Sequence, residues 1–433
     1  MKKAIVVGGN QTGMNVARLL ADVGFDVTVY EGKKREDLAY DWTDDIDPKV
    51  FEELGLPMPS PDCYYKKKIW TFVNPNESVK LTVPGGAQEN DISIYRRPLN
   101  DYFYAMTKDK AELVYETKVE SLLIEGDAVT GVKVNGEEKK ADLVVDCSGA
   151  LSALRKSLPK EWKIQNEPAP GDTFVAYRGF FKRNEGAEEP TQTNKAYLQH
   201  NGEKGISWCI TTDKEVDILI GRIDKLSKEE IDRALIALKN DNPILSDELI
   251  KCGFCSVIPV RYPLSRMVAN GYVCVGDSAF MTIPLMGSGI VSGLLAGKFL
   301  AETLRENDDC SVKNLWNYQV KFYKRHASFA GVDVLKRWLL SVDAENIDFL
   351  FESGVIDEEI LAGGVGGDSV KMSLPTLLKK AWQGKRKLGL LLKISGMMGT
   401  PDKATKIASE IPGTFDENAV TAWQEKLDGI YRK

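Results

Sequence analysis

The chain has 433 residues, 43% of them hydrophobic and 28% charged, with a formal net charge of −6. That length supports two or three domains with real cores, and the composition is an ordinary globular balance. The acidic balance argues against a large basic face, so no nucleic-acid partner is expected.

No secretory signal pattern fits, because Lys2 and Lys3 lead into only four apolar residues before glycines follow. The best candidate for a bilayer span, residues 280–300, is broken by Pro284, Gly287, Gly289, Gly293 and Gly297, whereas a span takes about 20 apolar residues. Seven scattered cysteines, an odd count, suit a reduced protein, and a cytoplasmic location is expected. Cys252 and Cys255 form a Cys-x-x-Cys pair and the chain has two histidines, His200 and His326, so no metal site is expected. The pair reads as two strand cysteines. The alternative is a redox dithiol, which needs a helix N-terminus to depress a thiol pKa.

In chain order, residues 4–7 read as a buried strand, 8–13 as a glycine-rich turn and 14–23 as a helix ended by Gly24. Residues 25–30 read as a second strand closing on Glu31, which completes a βαβ unit of about 30 residues. Residues 60–95 are polar and strand-like, 99–106 helical, and 114–138 strands with turns at Gly126-Asp127 and Asn135-Gly136. Another apolar strand, 142–147, closes on Ser148-Gly149. Residues 172–260 alternate as strands around one helix, 228–239, and predict a second sheet carrying the substrate. A buried strand at 273–275 ends in Gly276-Asp277, and a long helix follows over 289–304. Beyond 310 the pattern is mostly helical, and the glycines of 363–367 predict a flexible loop.

The first turn carries the strongest local signal. A strand that ends in a glycine-rich turn and opens a helix aims backbone N–H groups and the helix dipole at an anion. Gly8 permits the tight turn, and Gly13 lets helix and strand approach. Glu31 is placed to accept hydrogen bonds from ribose hydroxyls. Counted from Gly8, Gly-x-Gly-x-x-Gly departs at its second glycine, which is Asn10; Asn tolerates a positive φ, and Gly9 offers some room. Thr12 and Gly32 complete the candidate dinucleotide set.

Four later segments resemble the FAD enzymes of the p-hydroxybenzoate hydroxylase-like fold, closest to the geranylgeranyl reductase-like branch. Tyr95-Arg96-Arg97-Pro98-Leu99-Asn100 is similar to the family's Arg-x-x-Phe-Asp stretch. Thr117-Lys118-Val119 resembles the strand whose backbone brackets adenine. Residues 147–155, with Ser148 and Gly149, resemble Ala-Asp-Gly-x-x-Ser-x-x-Arg. Gly276-Asp277-Ser278-Ala279, followed by Pro284, Gly287, Ser288, Gly289 and Ile290, is similar to the Gly-Asp-Ala segment with its downstream Pro and Gly-x-Gly. The segments occur in the family's order over most of residues 1–305.

The resemblance implies bound FAD. Asp277 can accept a hydrogen bond from a ribityl hydroxyl, and the N–H groups after Gly289 can face the flavin's pyrimidine edge. Arg96 pairs with a phosphate or caps the site, unless it is a solvated surface arginine. The family's Asp is Ser148 here, and no second glycine fingerprint offers a separate nicotinamide domain. The reductases' cysteine near the isoalloxazine would fall within residues 41–46, which here hold Asp44 and Asp45 and no thiol. These read as surface acids or as active-site carboxylates. Trp208, in a degraded version of the branch's aromatic strand motif, is a core aromatic or a wall over the flavin.

The expected architecture is α/β. A discontinuous Rossmann-type FAD-binding domain (1–60, 90–165, 266–330) holds a β-rich substrate domain (61–89, 166–265), and a helical C-terminal region (331–433) follows. The expected function is FAD-dependent oxidation or reduction of a small apolar, isoprenoid-type substrate, with electrons from NAD(P)H or a separate redox protein. The alternatives are an aromatic or polyketide-type monooxygenase, a halogenase, and an electron-transfer flavoprotein. Halogenation ranks low, since the segment after Trp208 lacks the second Trp and the Pro of Trp-x-Trp-x-Ile-Pro. His200 and His326 are expected to be structural or surface residues. The basic, leucine-rich stretch 374–398 reads as a helical lid on the substrate domain or as a segment lying on a membrane surface.

Overall fold

A computed structural model of the protein describes residues 1–38, 40–66, 69–83, 91–366, 379–380, 382–397 and 399–431. Strand β1 (Lys3–Val7) leads through the turn into helix α1 (Gln11–Asp22) and back to strand β2 (Asp26–Tyr30). β1 lies inside a six-stranded sheet, parallel to β2 on one side and to Leu143–Asp146 on the other. Being covered on both faces, such strands read as continuous apolar runs, and Ala4, Ile5, Val6, Leu143, Val144 and Val145 are all buried. Glu112–Val114 and Tyr272–Cys274 extend the sheet, and the short strand Val268–Ala269 closes one edge antiparallel. The apolar spacing of α1 buries Met14, Val16, Ala17 and Leu20.

The second large sheet has seven strands, in the order Leu245–Pro259, Thr173–Arg183, Val216–Ile223, Gly205–Thr211, Asn194–Leu198, Thr71–Val73 and Lys80–Thr82. Its faces separate by the strand period of two. Val216, Ile218 and Ile220 pack with Ala234 and Leu238 of the helix Lys228–Asp241. Leu219, between them in sequence, turns to the opposite face and packs with Trp42, Ala176 and Phe180. A capping box of Ser227 and Glu230 starts the covering helix. A small third sheet, Thr43–Ile46, Ile92–Tyr95 and Tyr64–Lys66, stands apart from both.

The C-terminal helices are not a separate body. Trp316, Tyr318, Phe322, Tyr323 and Trp423 belong to the same core as β1, and Tyr318 donates to Cys274 O at 2.9 Å. Two expectations need correction. Gly363 to Gly366 are helical, as the end of Glu358–Gly366; Asp357 accepts from Ile360 N at 3.2 Å and so secures the first turn from which the helix propagates. Gly367 lies outside the described residues. His200 and His326, expected to be structural or surface residues, are both buried. Of the stretch 374–398, residues 374–378, 381 and 398 lie outside the described residues. Its helix Leu388–Met397 buries no side chain, which a lid packed along its length would do. No described helix is long and apolar enough to cross a membrane.

Candidate functional site

A cavity of about 1240 Å³ runs between the two large sheets. That exceeds the roughly 300–1,000 Å³ of a typical small-ligand pocket. One end is bordered by Gly8, Asn10, Thr12, Glu31 and Gly32, the other by the second sheet and by Phe329, Leu339, Leu340 and Ile347.

The turn at the first end is held by close packing of backbone. Gly8 has φ +113°, and a Cβ there would stand 2.5 Å from Cys147 O; a Cβ on Gly13 would stand 1.9 Å from Gly8 O. Gly8 and Gly13 thus allow the helix–strand approach that their positions predict. Gly9 N donates to Glu31 Oε2 at 2.7 Å, and Lys33 N donates to Glu31 Oε1 at 2.9 Å. Each carboxylate oxygen keeps a further lone pair for a hydroxyl donor. Asn10 is a correction. Its φ is −75°, not positive, and it serves as the N-cap of α1, accepting from the N–H groups of Thr12 and Gly13 while Nδ2 donates to Cys147 O at 2.8 Å. Those two N–H groups are therefore spent on the cap rather than aimed at an anion.

Around this turn the predicted residues converge. Val119, Ser148, Gly149, Gly276 and Asp277 border the cavity, as do Pro284, Gly287, Ser288, Gly289 and Ile290. Gly289 caps the helix Ile290–Glu306, and a Cβ on it would lie 3.1 Å from Asp277 Oδ1. Burial pushes the Asp277 carboxyl up to about 6; nearby Arg96 opposes that shift and Asp44 adds to it. Asp44 and Asp45 also border the cavity, which overturns their reading as surface acids. Asp44 accepts from Arg96 Nε at 2.7 Å and Nη2 at 2.6 Å, a bidentate pair, so Arg96 is not a solvated surface arginine.

Apart from Trp208, the far wall came from residues that no local motif marked. Trp42 is buried with Arg96 over its ring at 5.1 Å and Arg178 at 5.3 Å. Arg178 is paired bidentately with Asp217, both side chains buried, and lies 5.1 Å from the Trp208 ring. Trp208 and Trp70, 5.6 Å apart, border the cavity with Ile206 and Leu219, so Trp208 is a wall of the pocket as well as a packed aromatic. His326 borders it too, and burial pushes its imidazole down to about 3, leaving it neutral at physiological pH. No group of His, Cys, Asp or Glu suited to a metal ion occurs among the described residues.

The geometry suits a dinucleotide at the first end. Small residues clear a path for backbone, Glu31 and Asp277 offer acceptors for sugar hydroxyls, and an apolar chamber opens beyond. The digeranylgeranylglycerophospholipid reductase of Sulfolobus acidocaldarius is 22% identical, over 98% of this chain and 96% of its own length. A geranylgeranyl bacteriochlorophyll reductase-like protein from Thermoplasma acidophilum superposes with a TM-score of 0.72 at 17% identity, covering 90% of this chain and 98% of that one. The chain is a relative of the geranylgeranyl reductases, with the p-hydroxybenzoate hydroxylase-like FAD-binding fold. That superfamily of flavin-binding oxidoreductases also holds monooxygenases. One example is PqsL, a probable FAD-dependent monooxygenase of Pseudomonas aeruginosa, at a TM-score of 0.57 and 18% identity over 81% of this chain and 99% of that one. No family model matches the sequence. The kinship implies an FAD-binding site in this reductase relative.

Proposed function

We propose that the protein is an FAD-dependent reductase that saturates an isoprenoid chain carried by a lipid. The observation that carries this reading is the continuity of the cavity. It begins at the dinucleotide turn and ends at an apolar wall of Trp70, Trp208, Ile206 and Leu219, then Leu339 and Leu340 of a C-terminal helix. A long apolar chain fits that shape better than a compact polar substrate. The relatives named for digeranylgeranylglycerophospholipids support the same substrate class.

FAD would supply the two-electron chemistry. Glu31 and the turn at Gly8 and Gly9 would hold its adenosine end, with the backbone at Val119 beside adenine. Ser148, Gly149 and Arg96 would line the middle, Asp277 would hold the ribityl chain, and Gly287, Ser288 and Gly289 would meet the ring. The residues of the chain also exclude water: Trp42, Trp70 and Trp208 close the chamber with indole faces. Arg178 is neutralised by Asp217, so that guanidinium adds no net charge to the wall beside an apolar substrate.

The test is a visible absorption spectrum of the purified protein, repeated with NADH or NADPH under argon. Flavin bands establish the cofactor, and their absence after loading with FAD overturns the proposal. Bleaching by a nicotinamide marks it as the direct donor; persistence of the bands points to a separate donor protein. Anaerobic reoxidation by a lipid with geranylgeranyl chains supports the reductase, whereas reoxidation that needs oxygen and an aromatic substrate supports a monooxygenase instead.

A further inference from the structure

The small sheet of Thr43–Ile46, Ile92–Tyr95 and Tyr64–Lys66 carries a feature that cofactor binding does not use. In its register Asp45 pairs with Ser93, and Ser93 pairs with Tyr65. The three residues form one rung, and side chains across a rung share a face. All three border the cavity. Ser93 Oγ donates to Asp45 Oδ1 at 2.6 Å.

The surroundings of Tyr65 are built rather than accidental. Burial pushes its phenol above the ordinary tyrosine range, as do the Asp217 and Asp45 carboxylates, while the hydroxyls of Thr43 and Ser93 favour the ionised form. Arg178 fixes Thr43 by donating to its carbonyl at 2.9 Å and to its hydroxyl at 2.8 Å. Tyr95 packs beside the phenol at 5.8 Å between ring centroids. The rung also touches the loop that would meet the flavin ring, since Ser288 Oγ donates to Asp45 O at 3.4 Å.

Resting on the reductase reading, we propose that Tyr65 is the acid that delivers a proton to the substrate, with Ser93 and Asp45 the positioning residues that resupply it. Saturating a carbon–carbon double bond adds two electrons and two hydrogens. Reduced FAD, when bound, would supply both electrons with one hydrogen and be oxidised in turn; the second hydrogen arrives as a proton. The Tyr65 O–H bond breaks as the second C–H bond forms; the Thr43 hydroxyl, which accepts from Arg178, donates to the phenolate left behind, and Ser93 joins it only when its own proton turns from Asp45 to the phenolate. A proton from water returns through Asp45 and Ser93. Other acids on the cavity serve less well: Asp44 is tied to Arg96 as a double acceptor, His326 is neutral, and Asp277 is committed to the ribityl chain in the reading proposed above. A phenol is protonated at neutral pH, the state a donor needs, and the hydroxyls of Thr43 and Ser93, which favour its ionised form, ease the loss of the proton against the effect of burial.

The test uses the full chain loaded with FAD and labelled with fluorotyrosine, comparing wild type, Tyr65→Phe and Ser93→Ala. Tyr65→Phe should keep its flavin and its reduction by dithionite, yet lose on the order of 100-fold in anaerobic reoxidation by a digeranylgeranylglycerophospholipid. The fluorine resonance missing from Tyr65→Phe should titrate above free fluorotyrosine in wild type, and higher still in Ser93→Ala. A Tyr65→Phe reoxidation rate within about threefold of wild type overturns the proposal, because general acids contribute far more. So does a resonance indifferent to Ser93→Ala. A wild-type protein that holds FAD but is not reoxidised by the lipid overturns the reductase reading itself, and the role of Tyr65 with it.

Discussion

The two ends of the cavity are built from different material. At the dinucleotide end the working surface is mostly backbone: a turn at Gly8, a helix end at Gly289, and short side chains that keep out of the way. At the substrate end it is side chains, brought from the small sheet, the seven-stranded sheet and a C-terminal helix, and braced by the buried pair of Arg178 and Asp217. A backbone surface is spoiled by adding an atom. A side-chain surface is spoiled by removing a partner.

That contrast gives the largest expected effect. Asp217→Ala leaves the Arg178 guanidinium buried without its counter-charge, which should cost about 3–5 kcal/mol. Thermal unfolding should show it. Replacing both partners together, as Arg178→Met with Asp217→Leu, should recover most of the loss; a double variant as unstable as the single one would mean the wall depends on the charges themselves. At the other end, Gly13→Ala adds one carbon 1.9 Å from Gly8 O. It should destabilise by about 3 kcal/mol, the upper part of the range for overpacking, and abolish flavin retention. A folded variant with full flavin content would sink the site assignment.

The same contrast explains what could be read from the sequence. The β1–α1–β2 unit was legible because strand period, turn glycines and helix period all act within a few residues of one another. The strand ending in Gly276-Asp277 was legible for that reason too, whereas the site role of that turn and of Gly287–Gly289 came from the family resemblance. Asn10 was read only in part: its departure from the glycine pattern suggested a tolerated positive φ, whereas the backbone is extended and the side chain caps the helix. Tyr65, Ser93, Trp42, Arg178 and Asp217 were missed as a group. Each is an ordinary strand or loop residue locally, and only pairing between distant strands brings them together. Asp44 and Asp45 were misjudged because two adjacent acids normally face water; here one meets Arg96 and the other Ser93.

Asp277 offers a smaller, pH-dependent test of the backbone end. Its carboxyl is raised to about 6 in the folded chain from an ordinary 3.8. A raised folded-state pKa means that its contribution to stability is full below pH 4 and is lost as pH rises through about 6. Asp277→Asn should therefore stabilise the flavin-free protein at pH 7–8 by about 1–2 kcal/mol, allowing for solvent in the cavity, and the gain should vanish near pH 4. Unfolding midpoints at the two pH values check the sign. Flavin affinity should move the opposite way, because Asn accepts a ribityl hydroxyl less strongly than a carboxylate.

The smallest effect is expected at Cys252 and Cys255, on the strand Leu245–Pro259 at the edge of the substrate sheet. Cys255 borders the same cavity as Tyr65, so a dithiol there would be an obvious rival carrier of electrons. The chemistry runs against it. Burial pushes both thiols up, and neither sits at a helix N-terminus that would favour the thiolate. Both are free rather than bridged. Cys252→Ser and Cys255→Ser, singly or together, should change stability by no more than about 0.5 kcal/mol and leave the flavin's reduction and reoxidation as in wild type. Slow alkylation of both thiols at neutral pH would agree with that. A double variant that still binds FAD but no longer passes electrons would move part of the redox chemistry onto the substrate sheet, and the division between a cofactor end and a substrate end would fail.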